Sequence, residues 1–409
     1  MRLNSKLLAS ATALATAVVV TVGSAVAVPA GPALADPPAA VTPRPGDVVG
    51  VGADTLQYLL DQLAHDYDKN HPKASSLLYS WDETNPGNGH TGDPIVTKAG
   101  CAAIARPDGS SAGITALEAS TTDPSDPGDY CIDYAGSSRA PAATDPACGP
   151  GGVCFIQLAG DAVTWAARDK ASGGTDAPAT LTLAQLKDIY LCKITNWSKV
   201  GGTNATIQPF VPQQYSGTTA FWLTALGGGK APITPGPCVS NAGGTLQDNE
   251  GISPVLDSPE AIVPYSVGDY IAQVYHSAPC TVSACTGAPP CTPTGGQNLF
   301  GCDQHGVLGL GEIGGTEPML PWPAPNPPCS GCKINPKFSQ ISHRTLYAVV
   351  RYAASTGGIP ANLATFFAPY PTGFVCTSFT ARKDIEAYGF TPLIGYSDAK
   401  PACGTPHGS

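Results

Sequence analysis

The sequence is poor in charge and has no basic run. Only 13% of its 409 residues are Asp, Glu, Lys or Arg, and its formal net charge is −10. An acidic chain of this kind argues against nucleic acid as a partner, because binding to phosphate backbones depends on clustered Lys and Arg. Its 47 glycines and 41 prolines predict many turns and ordered loops, with few exposed salt-bridged helices.

Signatures of catalysis and of metal binding are also missing from the sequence. It contains neither a serine nucleophile elbow nor an HExxH motif, and its seven histidines are scattered without metal-ligand spacing. We therefore expect a protein that is not an enzyme and that uses no metal or other cofactor.

Long apolar segments are confined to the N-terminal region. A positively charged start precedes the run LLASATALATAVVVTVGSAVAV, and small residues follow up to Ala35. This pattern predicts a secretory signal peptide over residues 1–35, cleaved near Ala35; a membrane anchor is the alternative reading. The first cysteine is Cys101, so we expect no lipid anchor on an N-terminal cysteine and a location outside the cell or in the cell envelope.

Fourteen cysteines in an exported chain predict disulfides. The count is even, so all could pair, but the pairing cannot be derived from the sequence. Six of them lie in the Pro- and Gly-rich segment 280–332, which we interpret as a disulfide-pinned insertion too poor in aliphatic residues to form its own core.

After a Pro-rich lead over residues 36–47, short apolar strands, polar turns and amphipathic helices repeat along the chain. This alternation predicts an α/β fold with mostly parallel strands, in which ligands bind beyond the carboxyl ends of the strands. Three of the turns, GADT, GSSAG and SGTT, precede predicted helices. Their hydroxyl and backbone N–H groups, together with the helix dipoles, could bind an anion without lysine. For any single turn, ordinary helix capping is the alternative.

The segment LTLAQLKDIYLCKITNWSKVGG resembles the phosphate-type solute-binding proteins of ABC uptake systems. SGTT follows this segment at the spacing found in the family, and GSSAG and GSSRAP resemble two further binding turns. The resemblance covers residues 48–275 and, more weakly, 340–395. The ligand-binding residues that it implies are Asp54, Thr55, Ser110, Ser111, Ser138, Arg139, Ser216, Gly217 and Thr218.

The family fold is a two-lobed periplasmic-binding-protein-like fold of type II, in which two α/β lobes close on a ligand. The resemblance implies a first lobe from residues 48–155 and 263–409, with the disulfide-rich insertion 280–332, and a second lobe from residues 156–262. The implied function is capture of a small oxyanion, foremost phosphate, by a secreted monomer that serves an ABC permease. An extracellular interaction protein on the same scaffold and a phosphatase-like hydrolase are the alternatives.

Three positions depart from the pattern of close phosphate binders. Pro212 and Gln214 stand where an arginine and an aspartate are expected, and Arg139 stands where the family has an aspartate. One hypothesis is that Asp54 accepts the proton of the ligand and Arg139 supplies the positive charge. These departures leave sulfate, a phosphate ester and an organic anion open as ligands.

Overall fold

The computed structural model describes residues 36–37, 41–71, 74, 76–85, 90–169, 173–276, 304–322, 331–356, 358–393 and 402–407. The predicted signal peptide lies outside the described residues, as does most of the Cys-rich segment 280–332. In the described part of the chain, no helix has the length and apolar character required to cross a bilayer.

The described residues contain eight α-helices, and three of them begin at or just after the polar turns noted above. They are α1 (Gln57–Asn70), α2 (Ser110–Ala119), α3 (Leu183–Tyr190), α4 (Gly217–Leu226), α5 (Val267–Ile271), α6 (Ala361–Phe367), α7 (Phe374–Thr377) and α8 (Phe379–Ala387). In α3, the Thr182 hydroxyl accepts a hydrogen bond from the Gln185 backbone N–H and the Gln185 side chain reaches back, so a capping box fixes the start of the helix. Leu186 and Ile189 are fully buried.

The strands of the described residues are β1 (Val48–Val51), β2 (Leu78–Trp81), β3 (Pro94–Ile95), β4 (Ile104–Ala105), β5 (Thr122–Asp123), β6 (Asp126–Tyr130), β7 (Tyr134–Ser137), β8 (Val153–Arg168), β9 (Thr180–Leu181), β10 (Gln208–Pro209), β11 (Ala261–Ser266), β12 (Leu308–Leu310), β13 (Glu312–Ile313), β14 (Met319–Leu320), β15 (Lys333–Ile334), β16 (His343–Arg351) and β17 (Thr391–Pro392).

The main sheet has the strand order β10-β11-β8-β16-β7-β1-β2, and β12 and β17 also pair with β8. The pairs β1–β2, β1–β7 and β10–β11 are parallel, as expected. The pairs that β8 makes with β11, β12, β16 and β17 are antiparallel, and so is β7–β16. The expectation of mostly parallel strands was therefore wrong for the centre of the sheet, because the 16-residue β8 is flanked by strands that run back along it.

The apolar cores divide along β8. Residues from Ala162 onward in β8 pack into one cluster that continues as far as Phe338. Before that point the strand contributes to two clusters: Cys154, Ile156, Leu158 and Ala159 pack with α1, α6 and β16, and Val153 and Phe155 pack with β1 and α2. Leu308 and Met319, from the segment expected to lack a core, are buried in the first of these clusters. This distribution favours a second lobe that extends beyond residue 262; the division into two lobes stays a prediction.

Disulfides close four loops in the described residues. The pairs are Cys101–Cys131, Cys148–Cys154, Cys192–Cys238 and Cys376–Cys403. No described cysteine is free. The disulfide-rich character expected from composition is confirmed for these residues, and it fits an oxidising compartment.

Buried acidic groups predict that stability falls as the pH rises. Burial, and then the nearby Asp66 carboxyl, raises the pKa of Asp384 on α8 to about 7, and burial raises the pKa of Asp68 to about 7. A carboxyl whose pKa is raised by folding stabilises the folded state below its unfolded pKa of about 4, and this contribution is lost as the pH rises through 7. We expect the melting temperature to fall between about pH 5 and about pH 8.

The variant Asp384→Asn cannot ionise at this position, so its melting temperature should fall less over the same pH range. Differential scanning calorimetry of the wild type and the variant measures this difference. Asp188→Asn, which changes an exposed side chain, is the control and should follow the wild type. Parallel curves for Asp384→Asn and the wild type would contradict the assignment.

Candidate functional site

Four polar turns meet at one buried place. Thr55 follows β1, Ser110 begins α2, Ser138 follows β7, and Thr218 lies in the first turn of α4. Each of these four side chains is at most 3% exposed. The turns after β1 and β7 lie side by side because these strands are parallel neighbours in one sheet, and hydrogen bonds described below bring Ser110 and Thr218 to the same place.

Ser110, Ser138 and Gly217 are in direct contact. The Ser110 hydroxyl accepts a hydrogen bond from the Ser138 backbone N–H at 3.0 Å and lies 3.3 Å from the Ser138 hydroxyl. A Cβ placed on Gly217 would lie 2.2 Å from the Ser138 Oγ and 2.3 Å from the Ser110 Oγ. Only glycine at this position allows the start of α4 to approach the two serines so closely.

Arg344 on β16 joins the turns. Its Nη1 donates to the Thr218 hydroxyl at 3.0 Å and to the Ser138 carbonyl at 3.1 Å, and its Nη2 donates to the Thr55 hydroxyl at 3.4 Å. A guanidinium offers five donors in a rigid plane, and here one side chain contacts three of the four turns.

Asp161 on β8 balances the charge of Arg344. The Arg344 Nε donates to the Asp161 carboxylate at 2.8 Å, and the two side chains are 1% and 0% exposed. The carboxylate also accepts from the Ser266 hydroxyl at 2.9 Å and from the Gly268 N–H at 3.1 Å. A buried ion pair is tolerated when such additional hydrogen bonds satisfy its oxygens. The pair therefore fixes the guanidinium beside the four turns.

Arg139, which the sequence suggested as the cation of the site, is engaged elsewhere. Its Nη1 and Nη2 donate to the two carboxylate oxygens of Asp145 at 2.6 and 2.9 Å, and its Nε donates to the Ser111 hydroxyl at 2.9 Å. The hypothesis required this guanidinium to face the ligand cleft instead of bonding an acidic residue outside it. The structure pairs it with Asp145 instead, because the turn that follows Ser138 brings that carboxylate within reach.

The remaining candidates have local partners. The Ser216 hydroxyl accepts from the Thr219 N–H as the N-cap of α4 and donates to Asp248. The Asp54 carboxylate accepts from the Gln57 side chain at 3.4 Å. The structure thus places these candidates beside the four turns and gives their side chains capping or supporting contacts.

Burial raises the pKa of two carboxyl groups near the turns. Burial, and then the charges of Glu83 and Asp248, raises the pKa of Asp54 well above its usual value. Burial also raises the pKa of Asp248, against the opposing effects of the Ser216 hydroxyl and of Arg344. The site therefore combines one arginine with several carboxyl groups that burial disfavours as anions.

Sequence reasoning missed Arg344, Asp161 and Asp248. Two of them carried a signal: Arg344 and Asp161 are charged residues within apolar strand segments, HRTLYAVV and FIQLAGDAV. A charge in a buried strand requires a partner, so these two residues could have been paired as a hypothesis. Among the described residues, no group of His, Cys, Asp and Glu is arranged to bind a metal ion.

The sequence model of the PBP superfamily domain matches residues 37–282. The chain belongs to this superfamily, and the expected periplasmic-binding-protein-like α/β fold is confirmed. No curated protein matches the chain.

Solved structures similar to the chain include three bacterial proteins. One is a putative phosphate ABC transporter substrate-binding protein from Clostridium perfringens, solved with bound phosphate. It has a TM-score of 0.49 and 15% sequence identity, and the match covers 85% of this chain and 99% of the Clostridium chain. An ABC-type phosphate transport receptor from Vibrio cholerae has a TM-score of 0.43 and 16% sequence identity. This match covers 84% of this chain and 99% of the Vibrio chain. A phosphate-binding protein from Stenotrophomonas maltophilia has a TM-score of 0.45 and 13% sequence identity. This match covers 85% of this chain and 91% of the Stenotrophomonas chain.

The contact at Gly217 predicts a measurable cost for one added methyl group. We expect Gly217→Ala to lower the free energy of unfolding by about 1–3 kcal/mol, the usual cost of overpacking, because the new Cβ collides with the Ser110 and Ser138 hydroxyls. Urea unfolding measures this change. Gly149→Ala is the matched control, since its Cβ would have no atom closer than 3.9 Å. Equal stability of the two variants would contradict the close approach.

Proposed function

We propose that this protein binds a small inorganic oxyanion, foremost phosphate, where the four turns meet Arg344. One observation carries the proposal. A single buried guanidinium, held by Asp161, lies against hydroxyl-bearing turns from both ends of the main sheet. The missing arginine at Pro212 is thereby replaced by one from β16. Phosphate, which the solved structures above are named for binding, is the first ligand to test.

The available donors suit a compact anion. Thr55 accepts a hydrogen bond from Arg344 and can still donate its own hydroxyl proton. Ser110 and Ser138 share one contact, so at least one of their hydroxyl protons can turn to a ligand. The ten-residue helices α2 and α4 add N-terminal N–H groups and dipoles that favour negative charge. Each hydrogen bond to a charged ligand contributes about 1.5–3 kcal/mol, so a few are sufficient for micromolar affinity.

The proposed role is capture without chemistry. The site combines hydroxyl and N–H donors with one fixed cation, and together these groups stabilise a bound anion. We further propose that the chain is exported as a monomer, cleaved near Ala35, and that it delivers its ligand to an ABC permease, with closure of the two lobes as the signal. Family membership, the disulfides and the sequence of residues 1–35 support this role.

Calorimetric titration of the dialysed wild-type protein tests the function. We expect saturable binding of phosphate or sulfate with one site per chain, together with a rise in melting temperature that grows with ligand concentration. An aryl phosphate is included as a ligand and as a substrate. If phosphate, sulfate and the ester all fail to bind, the proposed function is rejected; turnover of the ester would instead favour a hydrolase.

Two conservative substitutions distinguish the two arginines. We expect Arg344→Lys to weaken anion binding by about tenfold or more, since lysine keeps the charge and loses the planar fork that contacts three turns. Arg139→Lys should change the affinity by less than about threefold, because that fork serves Asp145. Both are measured by calorimetry at a temperature where circular dichroism shows both variants folded. The reverse order of effects would restore Arg139 as the cation of the site.

A further inference from the structure

Two segments that lie far apart in the sequence are joined beside the proposed anion site. One of them, residues 108–111, contains the start of α2, and the other, residues 213–216, leads into α4. The Ser111 backbone N–H donates to the Tyr215 carbonyl at 3.1 Å. This hydrogen bond connects the start of one helix to the loop before the other, so the two helix starts that we propose for anion binding do not act independently.

The Tyr215 carbonyl occupies one of the donors at the start of α2. The first N–H groups of a helix have no acceptor within the helix, and Gly109, the N-cap residue of α2, has no side chain to accept from them. The Ser111 N–H is one of these groups. Its acceptor is a carbonyl oxygen that carries partial negative charge, at the place where the helix dipole favours an anion. A ligand can use this N–H only if the carbonyl gives way.

Gly109 makes this close contact possible. A Cβ at this position would lie 2.5 Å from the Tyr215 carbonyl oxygen and 2.6 Å from the Gln213 Nε2. The φ of Gly109 is 99°, which lies in the region that residues with a Cβ rarely adopt. Both the space and the backbone conformation therefore require glycine where the two segments touch.

Gln213 fixes the Tyr215 carbonyl in this place. Its side chain is buried, with the residue 4% exposed, and its amide oxygen accepts the Tyr215 N–H at 2.5 Å. The amide nitrogen donates to the backbone carbonyl and to the carboxylate of Asp108, at 3.1 Å each. The Gln247 amide donates to the other Asp108 carboxylate oxygen at 3.2 Å. Gln213 thus shapes its own loop and ties that loop to the segment before α2, with Gln247 as a second tie.

We propose that Gln213 is a positioning residue that limits the affinity for the anion, because it holds the Tyr215 carbonyl on the Ser111 N–H as an internal competitor of the ligand. The inference rests on the proposed anion site. Binding of an anion at the start of α2 requires the loop 213–216 to shift, and the hydrogen bonds that are then lost oppose binding. When only a fraction of the molecules has the binding-competent arrangement, the apparent dissociation constant rises by the inverse of that fraction. Weakening the tie therefore strengthens binding.

Calorimetric titration of the whole protein with phosphate and with sulfate tests this role. In Gln213→Met the side chain keeps its length and stays neutral, so the charge of the site is unchanged, but the amide is lost. We expect this variant to bind both anions about threefold to tenfold more tightly than the wild type, the effect of removing about one net hydrogen bond from the competing arrangement. A merely structural role of Gln213 predicts weaker binding instead.

The matched control is Gln208→Met. The Gln208 amide also donates to a carboxylate, that of Glu260, at 2.5 Å, but this pair lies on the exposed surface. The same chemical change is therefore made where it cannot release the Tyr215 carbonyl, and we expect the affinity of the wild type. An equal gain in affinity in Gln208→Met and in Gln213→Met would overturn the inference.

A crystal structure of the wild type with bound phosphate tests the role without a variant. We expect the Ser111 nitrogen and the Tyr215 carbonyl oxygen, 3.1 Å apart here, to separate beyond about 3.5 Å, the limit of a hydrogen bond, with a phosphate oxygen as the new acceptor. Retention of the hydrogen bond between Ser111 and Tyr215 in the complex overturns the inference, even if Gln213→Met fails to fold.

The outcomes separate the inference from the proposed function. Anion binding by the wild type, with equal or weaker binding by a folded Gln213→Met, overturns the role of Gln213 and leaves the anion site standing. Absence of binding by the wild type and by the variant rejects the site and the inference together. Tighter binding by Gln213→Met, together with a displaced Tyr215 carbonyl in the phosphate complex, supports both.

Discussion

The buried pair of Arg344 and Asp161 is the interaction on which the rest of the site depends. Each residue lies on a long central strand, and each is almost completely removed from water. Removing one partner from such a pair leaves an uncompensated buried charge, which costs far more than the net stabilisation of the intact pair. The fold can hold this pair only if β8 and β16 stay in register, and that register also sets where the four turns meet.

The pair places a guanidinium beside the turns, although no arginine stands directly before the Ser-Gly-Thr loop. In a binding site, the position of a charge matters more than the element that carries it. Here the guanidinium reaches the turns from β16, through hydrogen bonds to Thr218, Ser138 and Thr55. Arg139, at a place that suggested ligand contact, is paired with Asp145 and helps to shape the turn after β7.

The second feature of the site is the presence of buried carboxyl groups. Burial raises the pKa of Asp54, Glu83 and Asp248 and so disfavours their charged forms. Groups of this kind stabilise the folded chain most at low pH, and this contribution is lost as the pH rises.

The sequence by itself determined the fold class, the disulfide-rich character and the turns. These features are local patterns in the sequence: alternating strands and helices, hydroxyl residues before helices, and the LTLAQLKDIYLCKITNW segment. Each can be recognised from neighbouring residues alone. The tertiary structure alone decided which charges meet. Asp161 and Arg344 are 183 residues apart in the sequence. Arg139 pairs with Asp145 because the turn after β7 brings that carboxylate within reach. Long-range pairing depends on strand register and on the packing of β8 between its neighbours, and neither is encoded in the spacing of residues within any single segment.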